Sequence, residues 1–377
     1  MTRVTDDQIT FLKILSDYIN DRENTYILSP EIFSYAKSHE LEGIVYKQCK
    51  SAKLQKKFYA SVYQFENKKN YIKELNDVLS DIPHFFVKGF ELAKYYKYPP
   101  LRTMGDVDLL VKKEDILRVR SLLKEQGFSL CPEVESVSVA TKDSFVLEIH
   151  TSLIHSGIGD EKANEYFSYC WDYVKDNQLD KNYHFVFVVQ HLKGHMISEG
   201  VGFRQFMDIA LFSRDSNLNW DWIRTKLIQL NLWKFLKIVF AFIQRWFDTN
   251  APIEVEKIDD DFFEIATQKI FTGGVFGHDD QLNKNTGITK QAINSGTSLR
   301  NARKKYLIQQ LFPNYKTMCL LPYCSYINKS KLLLPIAWAH RIIYRGSNYK
   351  FRESFADRIN LNSDLQKRLS LLKKWGL

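Results

Sequence analysis

Cysteine is scarce and scattered in this chain of 377 residues: Cys49, Cys131, Cys170, Cys319 and Cys324 are odd in number and include no Cys-x-x-Cys pair. That excludes a disulfide framework and a zinc ribbon, and makes buried, reduced thiols the expectation. No apolar run reaches the roughly twenty residues that a membrane-spanning helix needs. The stretch Met1-Thr2-Arg3-Val4-Thr5-Asp6-Asp7 lacks a signal-peptide pattern, so a cytoplasmic protein is expected. Internal repeats are absent as well. Disorder is excluded by what is there, since 45% hydrophobic and 14% aromatic residues supply core enough for two or three packed units.

Charge is unevenly spread. The net charge is +9, but the positive excess lies beyond residue 300 and the remainder is slightly acidic. Arg303-Lys304-Lys305, Lys329-Ser330-Lys331 with the following Leu332-Leu333-Leu334-Pro335-Ile336-Ala337-Trp338, and Lys373-Lys374-Trp375 interleave cations with apolar side chains. Phosphates of a nucleic acid, an anionic membrane surface, and an acidic glycan or carrier all fit such a pattern, and so does a plain solvated helix face. The apolar run beside the lysines favours an anionic acceptor or a membrane surface over RNA, and no obligate nucleic acid is expected.

The densest chemical signal is Arg102-Thr103-Met104-Gly105-Asp106-Val107-Asp108-Leu109-Leu110-Val111. Strand side chains alternate faces, so Asp106 and Asp108 point one way while Val107 and Leu109 point into the opposite layer. Two like charges side by side on a half-buried strand call for a cation between them, and a hard divalent ion is the usual answer. Phe145-Val146-Leu147-Glu148-Ile149-His150 offers a third carboxylate, Glu148, which shares the ion if this segment pairs beside the aspartate strand. Oxygen ligands alone suit Mg²⁺ or Mn²⁺ and argue against zinc, and Mg²⁺ keeps positions for substrate phosphates. His150 shares the face of Glu148 and is read as a packing or hydrogen-bonding residue. Upstream, Ile82 to Val87 reads as a buried strand, and Lys88-Gly89-Phe90 opens a helix-like run through Glu91-Leu92-Ala93-Lys94-Tyr95-Tyr96. A glycine at that turn lets backbone N–H groups approach an anion such as a triphosphate, with Lys88 adding charge. Arg102 has two open roles, a bidentate phosphate contact or the neutralisation of a carboxylate.

Taken in order, these residues resemble the nucleotidyltransferase superfamily typified by DNA polymerase β, and more narrowly its uncharacterised bacterial branch. The similarity covers roughly residues 80–155. It implies an α+β fold in which a polymerase β-like nucleotidyltransferase core, a small mixed sheet with helices, is embedded in a mostly helical chain. It also implies catalytic, metal-binding roles for Asp106, Asp108 and Glu148, nucleotide binding by Lys88, Gly89 and Arg102, and transfer of a nucleoside monophosphate from an NTP to an acceptor hydroxyl with release of pyrophosphate. Phe90 stands where the superfamily commonly has Ser after the glycine, which removes one hydroxyl contact to the phosphates. A nucleotide-binding protein with weak or lost catalysis, and a basic RNA-binding protein, are the alternatives.

Around the motif the chain divides into an N-terminal helical region (1–78), the nucleotidyltransferase core (79–155), a helical domain (156–299) and a basic helical C-terminal region (300–377). Ser29 can N-cap a helix that starts at Pro30. Ile116, Leu117, Val119, Leu122 and Leu123 mark an amphipathic helix from Glu114 to Gln126, stopped by Gly127. Tyr98-Pro99-Pro100 reads as a rigid extended connection. Aromatic-rich helical runs cover Tyr183 to His195 and Trp220 to Phe247. His191 and His195 lie four residues apart on one helix face, followed by Arg204 and Asp208. They fit a second wall of the cleft, or a packed histidine pair and an i, i+4 salt bridge. The stretch from Gly273-Gly274 through Gly277-His278-Asp279-Asp280 to Gly287 and Asn294-Ser295-Gly296 reads as a loop.

Overall fold

The computed structural model describes residues 4–131, 137–154, 160–198, 200–274, 298–313, 330–346 and 363–377, with short pieces between 288 and 327. The expected glycine-rich loop lies outside the described residues from 275 to 287 and from 294 to 297. Four helices lead in: α1 (Asp6–Ile19), α2 (Pro30–Ser38), α3 (Glu42–Cys49) and α4 (Ala52–Val78). Their starts follow from side-chain chemistry. Thr5 and Gln8 form a reciprocal capping box on α1, and the Ser29 hydroxyl accepts the Ile32 N–H with Pro30 as the first residue of α2.

A five-stranded sheet follows, made of β1 (His84–Val87), β2 (Val107–Val111), β3 (Ser129–Leu130), β4 (Val137–Lys142) and β5 (Phe145–His150) in the order β1-β2-β5-β4-β3. The β2–β5 pair is parallel and the other three pairs are antiparallel, so the sheet is mixed. Two short helices connect it, α5 (Gly89–Ala93) and α6 (Ile116–Glu125), the latter ended by Gly127 at φ 83°. Tyr98-Pro99-Pro100 is not an extended connection. Pro99–Leu101 forms one 3₁₀ turn, because a proline at the first helical position loses no hydrogen bond there.

The remainder is helical: α7 (Glu161–Ser168), α8 (Lys181–Ser198), α9 (Phe203–Phe212), α10 (Trp220–Gln229), α11 (Trp233–Phe247) and α12 (Asp260–Gly273). A short hairpin, β6 (Val174–Lys175) and β7 (Gln178–Leu179), interrupts this half and has no counterpart among the sequence expectations. Its turn residues Asp176 and Asn177 both take positive φ, 50° and 57°, the signature of a tight hairpin. Further helices cover Leu299–Leu311, Leu334–Gly346 and Ser363–Lys374. No helix among the described residues is long and apolar enough to cross a membrane.

The sheet separates two cores. One face, with Val107, Leu109, Val111, Phe145, Leu147 and Ile149, is sealed by Ile72, Leu75 and Leu79 around the end of α4 and by Val119 and Leu123 of α6. The other face contributes Phe85, Val87 and Leu110 to a larger cluster that runs from Phe11 to Trp375. Trp375 is thereby accounted for. It stacks on Phe242 at 4.2 Å and is 2% exposed, so it cannot serve the C-terminal region as a membrane-inserting side chain. Leu332, Ile336 and Ile343, by contrast, are exposed.

Candidate active site

The register of β2 against β5 builds the site. Asp108 sits opposite Glu148 and Leu110 opposite His150 in the parallel pair, and alternation places Asp108, Glu148 and His150 on one face. Ligand-capable atoms of these three lie within 4.8 Å of one another, the one such group among the described residues. The His150 Nε2 is 2.9 Å from Asp108 Oδ1 and 3.3 Å from Glu148 Oε2. Lys88 at the end of β1 donates from Nζ to the same Asp108 Oδ1 at 2.5 Å. The β1–β2 register explains that reach, because Val87 is the partner of Asp108.

Electrostatics follow the geometry. Burial raises the Asp108 carboxyl, but Lys88 and His150 outweigh it and hold the group well below the usual carboxylate range. The His150 hydrogen bond lowers Glu148 against its burial, and the bonds to Asp108 and Glu148 raise His150 although burial opposes its charge. Asp106 precedes β2 by one residue and does not join the three-residue group. It is nevertheless close enough that, after burial, the charges of Asp108 and Glu148 are what push its carboxyl up. The loop carrying it is held from α4 by Lys68, whose ammonium donates to the Met104 carbonyl and to Gly105 O at 3.3 Å. A lone lysine on a long polar helix offers no sequence signal for that task.

The Lys88-Gly89 turn differs from expectation in one respect. The strained backbone belongs to Lys88, at φ 54° and ψ −119°, whereas Gly89 is needed for closeness: a Cβ there would meet Arg102 Nη1 at 3.1 Å and Met104 at 3.3 Å. The Lys88 N–H points to His184 Nε2 at 3.3 Å, and burial pushes His184 down to about 3, leaving its ring neutral and able to accept. Phe90, the residue after Gly89, stacks on Phe65 with ring centroids 5.6 Å apart.

Arg102 takes the second of its two roles. It is 8% exposed and grips Asp208 with Nε to Oδ1 at 3.1 Å and Nη2 to Oδ2 at 2.8 Å, while Tyr96 donates to the same carboxylate at 2.8 Å. The expected Arg204 to Asp208 helix pair is therefore not formed, because the forked guanidinium from the Asp-x-Asp loop occupies that carboxylate. Arg204 turns to the same loop from the other side, donating to Glu40 Oε2 at 2.5 Å, Thr103 O at 2.9 Å and Thr103 Oγ1 at 3.1 Å. His191 and His195 bond to each other, Nε2 to Nε2 at 2.9 Å. Burial lowers His191 first, then the charge of Lys88, and Asp108 and Arg102 also act on it, so the pair stands at the cleft without assembling a metal group of its own among the described residues.

The donor set fits a divalent ion. Asp108 and Glu148 supply carboxylate oxygens, Asp106 adds a third within electrostatic range, and His150 either ligates or orients them. Between α4 and the Asp106 loop lies a cavity of about 150 Å³ lined by Gln64, Asn67, Lys68, Tyr71, Met104, Gly105, Ser144 and Phe145. No curated protein and no solved structure matches this chain. A family model described as uncharacterised nucleotidyltransferase matches residues 28–248, from just before α2 through α11 and including every residue of this site. With more than half of its length so matched, the chain belongs to that nucleotidyltransferase family.

Proposed function

We propose that the protein transfers a nucleoside monophosphate from an NTP to an acceptor hydroxyl, releasing pyrophosphate, on a polymerase β-like core that uses Mg²⁺ or Mn²⁺. The observation that carries this reading is the facing of Asp108 and Glu148 across a parallel strand pair, with Asp106 two residues before Asp108. The mixed sheet and the family membership support it. Asp106, Asp108 and Glu148 would hold the ion, which when bound supplies charge neutralisation on the phosphates and lowers the cost of the developing negative charge. His150 keeps Asp108 and Glu148 oriented and ionised. Glu148, the more accessible carboxylate of the facing pair, would accept the proton of the attacking hydroxyl. Lys88 would add a cation for the polyphosphate, and Gly89 lets Arg102 and Met104 pack closely against that turn.

The test is nucleotide binding and pyrophosphate release with and without Mg²⁺, for wild type, Asp106→Asn and Asp108→Asn. Both substitutions are expected to abolish Mg²⁺-dependent binding and turnover while the circular dichroism spectrum is preserved. Full activity in either variant removes the assignment. A second reading, a nucleotide-binding protein without turnover, is favoured by Phe90 lying stacked on Phe65 in place of a phosphate-contacting hydroxyl. It predicts Mg²⁺-dependent NTP binding and no pyrophosphate with any acceptor.

A further inference from the structure

We infer that Lys88 is a resident counter-ion of the carboxylate cluster, displaced when a divalent cation enters, so that cation and substrate polyphosphate bind this site as a coupled unit. The inference rests on the proposed function and adds to it an order of events set by one side chain.

Asp108 Oδ1 already receives two donors, Lys88 Nζ at 2.5 Å and His150 Nε2 at 2.9 Å. A carboxylate oxygen offers two lone pairs and both are taken here, so a hard divalent ion that bonds Asp108 Oδ1 at roughly 2.0–2.1 Å displaces one of the two donors. The ammonium, a positive charge repelled by the arriving ion and bonded to Asp108 alone, is the donor that leaves, whereas the His150 ring has Glu148 as a second partner.

The ammonium has little choice of destination. Its backbone is pinned by the β1–β2 register, by the left-handed conformation at Lys88 and by the N–H bond to His184. Its side chain is only 22% exposed. Asp106 and Glu148 are candidate ligands of the same ion. Asp208 is taken by Arg102 and Tyr96, and Glu40 by Arg204. His191, on the neighbouring helix, is held neutral by burial and so offers no charge. The anion that relieves the displaced ammonium has to arrive from outside. A polyphosphate does this with the oxygens that also complete the ion's shell, whereas a nucleoside without phosphates does not.

The experiment measures Mn²⁺ affinity by electron paramagnetic resonance on the full chain with no anion added, for wild type, Lys88→Met, Lys88→Gly and Asp108→Asn. Inorganic tripolyphosphate is then titrated into each form at saturating Mn²⁺. Lys88→Gly also removes the left-handed strain at this position, which guards against a variant that merely fails to fold. Removing the ammonium is expected to tighten Mn²⁺ alone by tenfold or more, and to weaken tripolyphosphate by a similar factor. Mn²⁺ affinity that is unchanged or weaker in both Lys88 variants, while Asp108→Asn abolishes it, overturns this inference and leaves the proposed function standing. Mn²⁺ binding that is absent from every form, the Lys88 variants included, overturns this inference alone, and Mn²⁺ binding that survives Asp108→Asn overturns both.

Discussion

The pairing of Arg102 with Asp208 shows how a motif residue can be structural while standing next to the chemistry. Both side chains are buried, at 8% and 4% exposure, and the forked contact satisfies two guanidinium nitrogens and both carboxylate oxygens. Removing one partner strands a charge in the interior. Arg102→Ala is therefore expected to cost about 3–5 kcal/mol, read as a fall in the urea midpoint, and Arg102→Lys to recover only part because an ammonium cannot grip both oxygens. If Arg102 served only a phosphate, the midpoint of the free protein would not move. The sequence leaves these two roles open because Asp208 lies 106 residues away. The contact of His150 with Asp108 is hidden for a related reason. Its position on the Glu148 face is legible along the strand, but its reach to Asp108 depends on which strand lies alongside.

Elements whose signals are local are the most legible. Ser29 and Pro30 start α2 as the sequence indicates, since a cap and a proline act within a few residues. Gly127 ends the α6 segment, also as expected, at φ 83° and with nothing within 4 Å of the point where a Cβ would stand. Open space removes steric clash from the argument and leaves backbone strain alone, so Gly127→Ala is expected to cost about 1–2 kcal/mol in thermal or urea unfolding without touching nucleotide affinity. A variant as stable as wild type would show that the left-handed conformation is not required there. The β6–β7 hairpin is silent in the sequence because each strand has two residues, too few for alternation to register, and only its Asp176-Asn177 turn carries information.

The whole molecule is organised by a buried cluster that draws on both ends of the chain, Phe11 near one and Trp375 near the other. His39 sits inside it, fully buried, with its ring against Phe11, Phe203 and Phe271 of three different helices and neither nitrogen hydrogen-bonded. Burial pushes it down to about 3. Because the folded value lies below that of the unfolded chain, the unfolded state takes up the proton first; this contribution is intact above about pH 6.5 and is lost as the pH falls toward 3. His39→Leu is expected to flatten that slope, leaving wild type to lose about 2 kcal/mol more than the variant between about pH 7 and pH 5 in urea titrations. Equal losses would mean that His39 is protonated without unfolding. By itself the sequence determined what acts over a few residues: caps, helix periodicity, the alternation that sets Asp108 against Val107 and Leu109, and the presence of Glu148 on an apolar strand. Only the tertiary structure decided that Asp108 meets Glu148 in a parallel register, that Lys88 and His150 converge on one oxygen of Asp108, and that Asp208 goes to Arg102 and not to Arg204. Side-chain period is written along a strand, but register and partner are set by how separate apolar faces close on one another, and one sequence read along its length does not contain that choice.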